Sequence, residues 1–154
     1  MARAASGPPA DARVSIFSHR VPFYETDAMG VVHHSNYVRY LELARILWLD
    51  EHHRPYRDYV ADGLHFATTR VEVDYLRPAV YDDVLAVATW LEWVRGASLR
   101  MAYEIRRGDE LLVRAATEHA VVDLEGRLRR IPRERREELA KLAPARGDGG
   151  GGGA

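Results

Sequence analysis

Cysteine is absent from this 154-residue chain. That excludes a disulfide scaffold, a thiolate metal site and a cysteine nucleophile. Lysine is nearly absent as well: of the 22 basic residues, Lys141 is the single lysine and the others are arginines, a pattern we read as genome composition. There is no excess of charge of either sign, with 22 basic against 23 acidic residues, so global charge points neither toward nor away from an anionic partner. No apolar run approaches the ~18 residues of a membrane span. The opening MARAASGPPADA lacks an apolar stretch, so no secretory signal is expected and a cytoplasmic location is the default.

What is present is enough for one folded unit. The chain is 47% hydrophobic, and its length falls within the ~100–200 residues of a common domain. Residues 1–12, rich in Ala, Pro and Gly, are expected to form a disordered leader. Residues 143–154, ending in GDGGGGGA, are expected to form a flexible tail. Between them, 13–142 reads as a single domain, punctuated by Gly30, Gly63, Gly96, Gly108 and Gly126.

The segment RVSIFSHRVPF predicts a first strand limited by Pro22. Asn36–His52 reads as a helix, because Tyr37, Tyr40, Leu41, Ala44, Leu47 and Trp48 recur at three- and four-residue spacing. Val38, Leu43, Ile46 and Leu49 widen that stripe, so the helix is expected to be mostly buried, with Ser35 or Asn36 as its cap. Pro55 then opens a short helix closed by Gly63. Four strands follow, at 65–77, 83–95, 99–106 and 111–123, with a last short helix over 132–142. Short connections imply an antiparallel meander. One buried helix needs a sheet to bury it, which gives an α+β architecture: five antiparallel strands curved around a long central helix. An uncovered sheet face and edge then predict a homo-oligomer.

The loop Tyr24-Glu25-Thr26-Asp27-Ala28-Met29-Gly30-Val31-Val32-His33-His34-Ser35-Asn36-Tyr37 carries the chemistry. It sets a carboxylate just before a helix N-terminus, where unpaired backbone N–H groups can hold an anion. A nucleophile or base beside a site for a developing oxyanion supplies two parts of an acyl-transfer site. From local physics alone, Asp27 serves equally as a loop residue capping backbone amides.

YETDAMGVVHHSNYVRYLELAR closely resembles the signature of the 4-hydroxybenzoyl-CoA thioesterase family, which includes the YbgC-type acyl-CoA thioesterases. The resemblance spans about 13–140 and implies the hotdog fold, an antiparallel sheet wrapped around a long helix. It implies hydrolysis of an acyl-CoA thioester to free acid and coenzyme A, with Asp27 as nucleophile or general base. It places His34 at the position whose backbone N–H polarises the thioester carbonyl, with Gly30 allowing close approach between the two. Val32, His33, Asn36 and Tyr37 join Gly30 as candidate substrate-binding residues. The tyrosine that many YbgC-like members carry four residues before the aspartate is Phe23 here, so Tyr24 is given no catalytic role. A homodimer or homotetramer is implied, with no cofactor beyond the coenzyme A of the substrate.

Other features are weighed beside this. The pairs His33–His34 and His52–His53 invite a zinc reading, but adjacent histidines point apart and no HExxH accompanies them, so no metal is expected. Glu42 and Arg45, three apart on the helix, suit an ion pair. Arg95-Gly96-Ala97-Ser98 offers an arginine, a flexible turn and a hydroxyl, so Arg95 and Ser98 are candidates for coenzyme A phosphate contacts. Arg127, Arg129, Arg130, Arg133, Arg135 and Arg136 form a basic cluster, read as a solvated face balanced by glutamates or as a contact to a coenzyme A phosphate. No nucleic-acid recognition motif accompanies it. Two alternatives keep the fold: a thioesterase acting on acyl-carrier-protein thioesters, and a non-catalytic acyl-thioester-binding module.

Overall fold

The structure, a computed structural model, describes residues 7–145. The residues of the expected leader before Gly7 and of the expected tail after Ala145 lie outside the described residues. Five strands, β1 (Ser15–Arg20), β2 (His65–Tyr75), β3 (Val84–Val94), β4 (Ser98–Arg107) and β5 (Glu110–Val122), make one antiparallel sheet in the order β1-β3-β4-β5-β2. Helix α1 (His34–His52) crosses its inner face, α2 (Tyr56–Ala61) follows directly, and α3 (Arg133–Leu142) closes the chain. This is the expected α+β arrangement, but the meander runs only through β3, β4 and β5, because β2 pairs with β5 and not with β3.

Helix α1 buries Tyr37, Tyr40, Leu41, Ala44, Trp48 and Leu49 against Leu85, Val87, Leu91, Met101, Ile105 and Val121 of the sheet. Three expectations about α1 are corrected. Its N-cap is His33, whose ring Nδ1 accepts from Ser35 N at 3.2 Å, so neither Ser35 nor Asn36 caps it. The helix starts earlier because His33 N is tied to Glu25 O at 2.9 Å, which turns the chain into the helix at that point. Nor is α1 buried around most of its girth: Val38 is 38% and Leu43 47% exposed, because a sheet can wrap only one side of a cylinder.

The outer face of the sheet is not an apolar surface awaiting cover. Arg100 joins Glu92 at 2.6 Å and Glu72 at 3.0 Å, a charged link across β3, β4 and β2. Gly7 and Pro9 of the expected leader lie on this side, with Gly7 N donating to Glu104 Oε1 at 2.7 Å, and Asp11 accepts from Ala145 N at 2.8 Å. Open apolar positions lie at both sheet edges: Ile16 on β1 is 61% exposed and Val84 on β3 57%, while Val71 and Tyr75 on β2, beside α1, are 42% and 49% exposed.

Two glycines differ in what they require. Gly30 sits at φ +78°, a left-handed conformation that side chains resist. Gly96 has no such φ, but a Cβ there would stand 3.2 Å from Arg130 Nη2, the mobile end of a side chain. Gly30→Ala is therefore expected to cost about 1–2 kcal/mol, and Gly96→Ala less than about 1 kcal/mol, as read by urea unfolding.

Acid should unfold this protein early. Burial pushes His53 down to about 4; burial and the neighbouring Arg45 charge push His119 down to about 3. Both rings stay neutral in the fold at pH values where the unfolded chain binds protons. The stability this supplies is complete above about pH 6.5 and is lost as pH falls, by up to about 1.4 kcal/mol per pH unit for each ring. Melting temperature against pH measures it, and His53→Gln or His119→Gln should flatten the curve.

Candidate active site

The loop after β1 is wound tightly. Asp27 N donates to Val31 O at 2.8 Å and Gly30 N to Asp27 O at 2.9 Å. Isolated bridges pair Thr26 with Val32 and Val31 with Val80. Gly30 makes the reversal and brings the chain back to the start of α1. Within this turn Asp27 Oδ1 accepts from Met29 N at 2.9 Å, the local capping that sequence reasoning held open. Among the described residues no hydrogen bond occupies Oδ2.

Asp27 and His34 both line a cavity of about 270 Å³, with Val32, Tyr37, Tyr75 and Pro78 among its other walls. His34 is the first residue of α1. Among the described residues its backbone N–H has no acceptor, whereas those of Val32 and His33 are bonded to Ala79 O and Glu25 O. An orphan N–H at the positive end of a 19-residue helix, in the same cavity as a carboxylate, can receive a developing oxyanion. The helix start is pinned from β2, where the Tyr75 hydroxyl donates to His34 O at 3.0 Å. The His34 ring stacks on that of His33 at 4.2 Å.

The other candidates separate. Val32 is buried and lines the cavity. Tyr37 lines it with its ring, while its hydroxyl accepts from Ala79 N at 3.2 Å and burial raises its pKa. Asn36 does not face the cavity: it is buried and its Nδ2 donates to Glu25 O at 2.9 Å, so its amide is spent on the fold. His33 is exposed and serves as the helix cap. Gly30 shapes the turn and does not line the cavity.

Arg95 and Ser98 are not brought to Asp27. Their turn joins β3 to β4, and Asp27 lies beside the opposite end of β3, roughly 30 Å away along an extended strand. There Arg95 N donates to Ser98 O at 2.8 Å and the Arg95 guanidinium stacks 4.0 Å over Trp93. Within one chain this turn cannot touch a group held at His34. The basic cluster is largely paired: Arg129 with Asp123 at 2.8 Å, Arg133 with Glu137 at 3.0 Å, and Arg135 with Asp62. Arg45 lies 3.8 Å from Glu42, a loose version of the expected ion pair.

Sequence reasoning missed the support behind Asp27. Glu25 is 7% exposed, and its Oε1 accepts from His19 Nε2 and from the Tyr40 hydroxyl, each at 2.7 Å. Its backbone carbonyl accepts from His33 N and Asn36 Nδ2. One residue thus ties β1, the Asp27 turn and α1 together. Burial and the Glu25 carboxylate both raise the Tyr40 pKa, so the phenol stays a donor. The signal was an acidic residue two before Asp27 and a tyrosine on the buried stripe, but only the fold joins them.

Comparison with known proteins identifies the family and the fold. Residues 21–145 match the model of the thioesterase-like superfamily. The acyl-CoA thioester hydrolase YbgC of Escherichia coli is 35% identical over 97 residues, covering 63% of this chain and 72% of that protein. The acyl-CoA thioesterase YbgC of Haemophilus influenzae is 32% identical over 109 residues, covering 70% of this chain and 80% of that one. A crystal structure from Thermus thermophilus superposes with a TM-score of 0.81 at 32% identity, covering 86% of this chain and 100% of that chain. The chain belongs to the thioesterase-like superfamily, has the hotdog fold, and is a thioester hydrolase of the YbgC type.

Proposed function

We propose that this protein hydrolyses acyl-CoA thioesters to the free acid and coenzyme A, with Asp27 and the His34 backbone N–H as its working groups. The observation that carries the reading is that an Asp27 carboxylate oxygen without a hydrogen-bond partner and an orphan His34 N–H share one cavity at the N-terminus of α1. The thioester carbonyl oxygen rests on the His34 N–H, which gains strength as charge builds on that oxygen. Asp27 attacks the carbonyl carbon to give an anhydride that water then cleaves, or takes a proton from the attacking water. Both routes pass through an oxyanion on the same N–H, and both expel the coenzyme A thiolate, which takes up a proton. Apolar walls from Val32, Tyr37 and Pro78 receive the acyl group beside the carbonyl. The reaction needs no resident cofactor.

We take the working form to be a homodimer or homotetramer. The half-exposed Val38, Val71 and Tyr75 support this, as does the distance between Asp27 and the Arg95–Ser98 turn, which only a second copy could bring to the same coenzyme A. Among the described residues no helix is long and apolar enough to cross a membrane.

The test is free-thiol release from a panel of short, long and aromatic acyl-CoAs, run beside the same acyl groups on a carrier protein. Specificity constants higher for the coenzyme A esters support the proposal. Higher constants for the carrier-protein esters would reassign the carrier. Tight binding without release from either would make the protein a binding module.

A further inference from the structure

A second cavity, of about 120 Å³, lies deeper along the same helix, between α1 and the inner face of β2, β4 and β5. It is built unlike the first. Arg45, on α1, is only 7% exposed, and its guanidinium lines this space. Its single carboxylate neighbour among the described residues is Glu42, at 3.8 Å, too far for a hydrogen bond, and the Glu42 side chain is 68% exposed. A guanidinium keeps its charge at every working pH and has five N–H donors to satisfy.

The facing wall supplies no negative charge. The Tyr103 hydroxyl and Thr117 Oγ are 2.7 Å apart, Thr117 Oγ lies 2.8 Å from His119 Nε2, and His119 Nδ1 lies 3.2 Å from Thr68 Oγ. This chain of groups is neutral, since burial and the Arg45 charge hold His119 unprotonated, and its Tyr103 hydroxyl lies within reach of Arg45. A register shift between Thr68 and Arg70 lets both Thr68 and Val71 face the helix, completing the wall. The result is one buried, weakly paired positive charge, with the exposed Arg39 also on the lining, set in a neutral hydrogen-bonding surface, the surroundings that suit a carboxylate.

The cavity's position gives that carboxylate an address. Along α1, His34, Val38, Leu41 and Arg45 fall on one stripe at three- and four-residue steps. The eleven-residue separation places Arg45 about 16 Å from His34 along the axis. Tyr75, Val73 and Val71 run beside that stripe on the inner face of β2. The two cavities share no lining residue, but the part-exposed Val38, Val71 and Tyr75 make an apolar edge between α1 and β2 that runs from the oxyanion site toward Arg45.

We infer that the Arg45 cavity is a specificity subsite for a carboxylate at the far end of the acyl group, so that the protein's preferred thioesters are ω-carboxyacyl ones rather than methyl-ended ones. This rests on the reading of Asp27 and His34 as the reacting end. Glu42 stands at the rim as a weak internal competitor that the ligand's carboxylate displaces into solvent.

The test compares two coenzyme A esters of equal chain length, one ending in a carboxylate and one in a methyl group. Binding to the Asp27→Asn protein, whose turnover should be slowed by about 10²–10⁴-fold, is measured by titration calorimetry. The carboxylate-ended ester should bind at least about tenfold tighter, the discrimination one charge-assisted hydrogen bond supplies. Arg45→Gln in the same background should bring the ratio of the two affinities to within about threefold of one. Glu42→Gln, at an exposed position that the fold does not need, should raise the ratio, and it keeps the idea testable if Arg45→Gln fails to fold. Equal affinities, tighter binding of the methyl-ended ester, or a ratio unmoved by Glu42→Gln would overturn the subsite. Its failure is separable from that of the hydrolase reading. Turnover by the unmodified protein with no carboxylate preference sinks the subsite alone. A binding preference without turnover sinks the hydrolase reading and leaves the subsite standing.

Discussion

Asp27→Asn should cut kcat for thioester hydrolysis by about 10²–10⁴-fold, the usual contribution of a positioned acid–base group, while barely moving the melting temperature. The two effects separate because the substitution is nearly isosteric. Asparagine keeps an Oδ1 that accepts from Met29 N, so the turn around Gly30 loses no hydrogen bond. What goes is the second oxygen and the charge of a residue that lines the cavity. His34 still offers its N–H, so substrate binding should survive and the loss should fall on kcat rather than on KM. Unchanged turnover in the folded variant would remove Asp27 from the mechanism. Single turnover of the unmodified enzyme in heavy-oxygen water distinguishes the two routes. Label found in Asp27 marks an anhydride intermediate that water opens at the aspartyl carbon, and label found only in the product acid fits direct attack by water.

Glu25→Ala should be the most damaging single change to the fold around the site. Its carboxylate is the shared acceptor of His19 and Tyr40, and all three lie at the junction of β1 and α1. Removing it strands the buried Tyr40 hydroxyl, at about 1–3 kcal/mol, and takes the partner of the partly exposed His19 ring at a smaller cost. The combined loss is a large share of the ~5–15 kcal/mol that holds a typical domain together. The alanine retains a backbone carbonyl for His33 N and Asn36 Nδ2, but nothing then holds that carbonyl in place. Activity should fall with stability, since Asp27 and His34 are positioned from this point. Glu25→Gln keeps an oxygen that can accept both bonds and should cost far less. Melting temperature and kcat measured on both variants decide it, and a Glu25→Ala protein as stable and active as the unmodified one would refute the role.

The order of elements was legible because each has a local period. Alternation along Leu99, Met101, Tyr103 and Ile105 marks a strand, and the three- and four-residue stripe from Tyr37 to Trp48 marks a helix, whatever else the chain does. The boundaries were less so. Helix α1 starts at His34 rather than Asn36 because a backbone bond from His33 to Glu25, across the Asp27 turn, turns the chain there, and no propensity records that bond. The register shift in β2 was invisible for the same reason: alternation read over 65–77 is broken by pairing with β5, not by composition.

The amino-acid sequence by itself determined the α+β class and, through its resemblance to a known family, pointed to Asp27 and His34, which stand seven residues apart across the turn at Gly30. Tertiary structure alone decided the rest. It put Tyr75 on the His34 carbonyl, set Glu25 between His19 and Tyr40, left Arg45 facing a neutral wall, and carried Arg95 and Ser98 to the far end of the sheet. The first three join residues from different strands and helices, and the last separates residues by the length of a strand. Such relations are settled only when the sheet closes on the helix and burial makes each polar group find a partner or go without one.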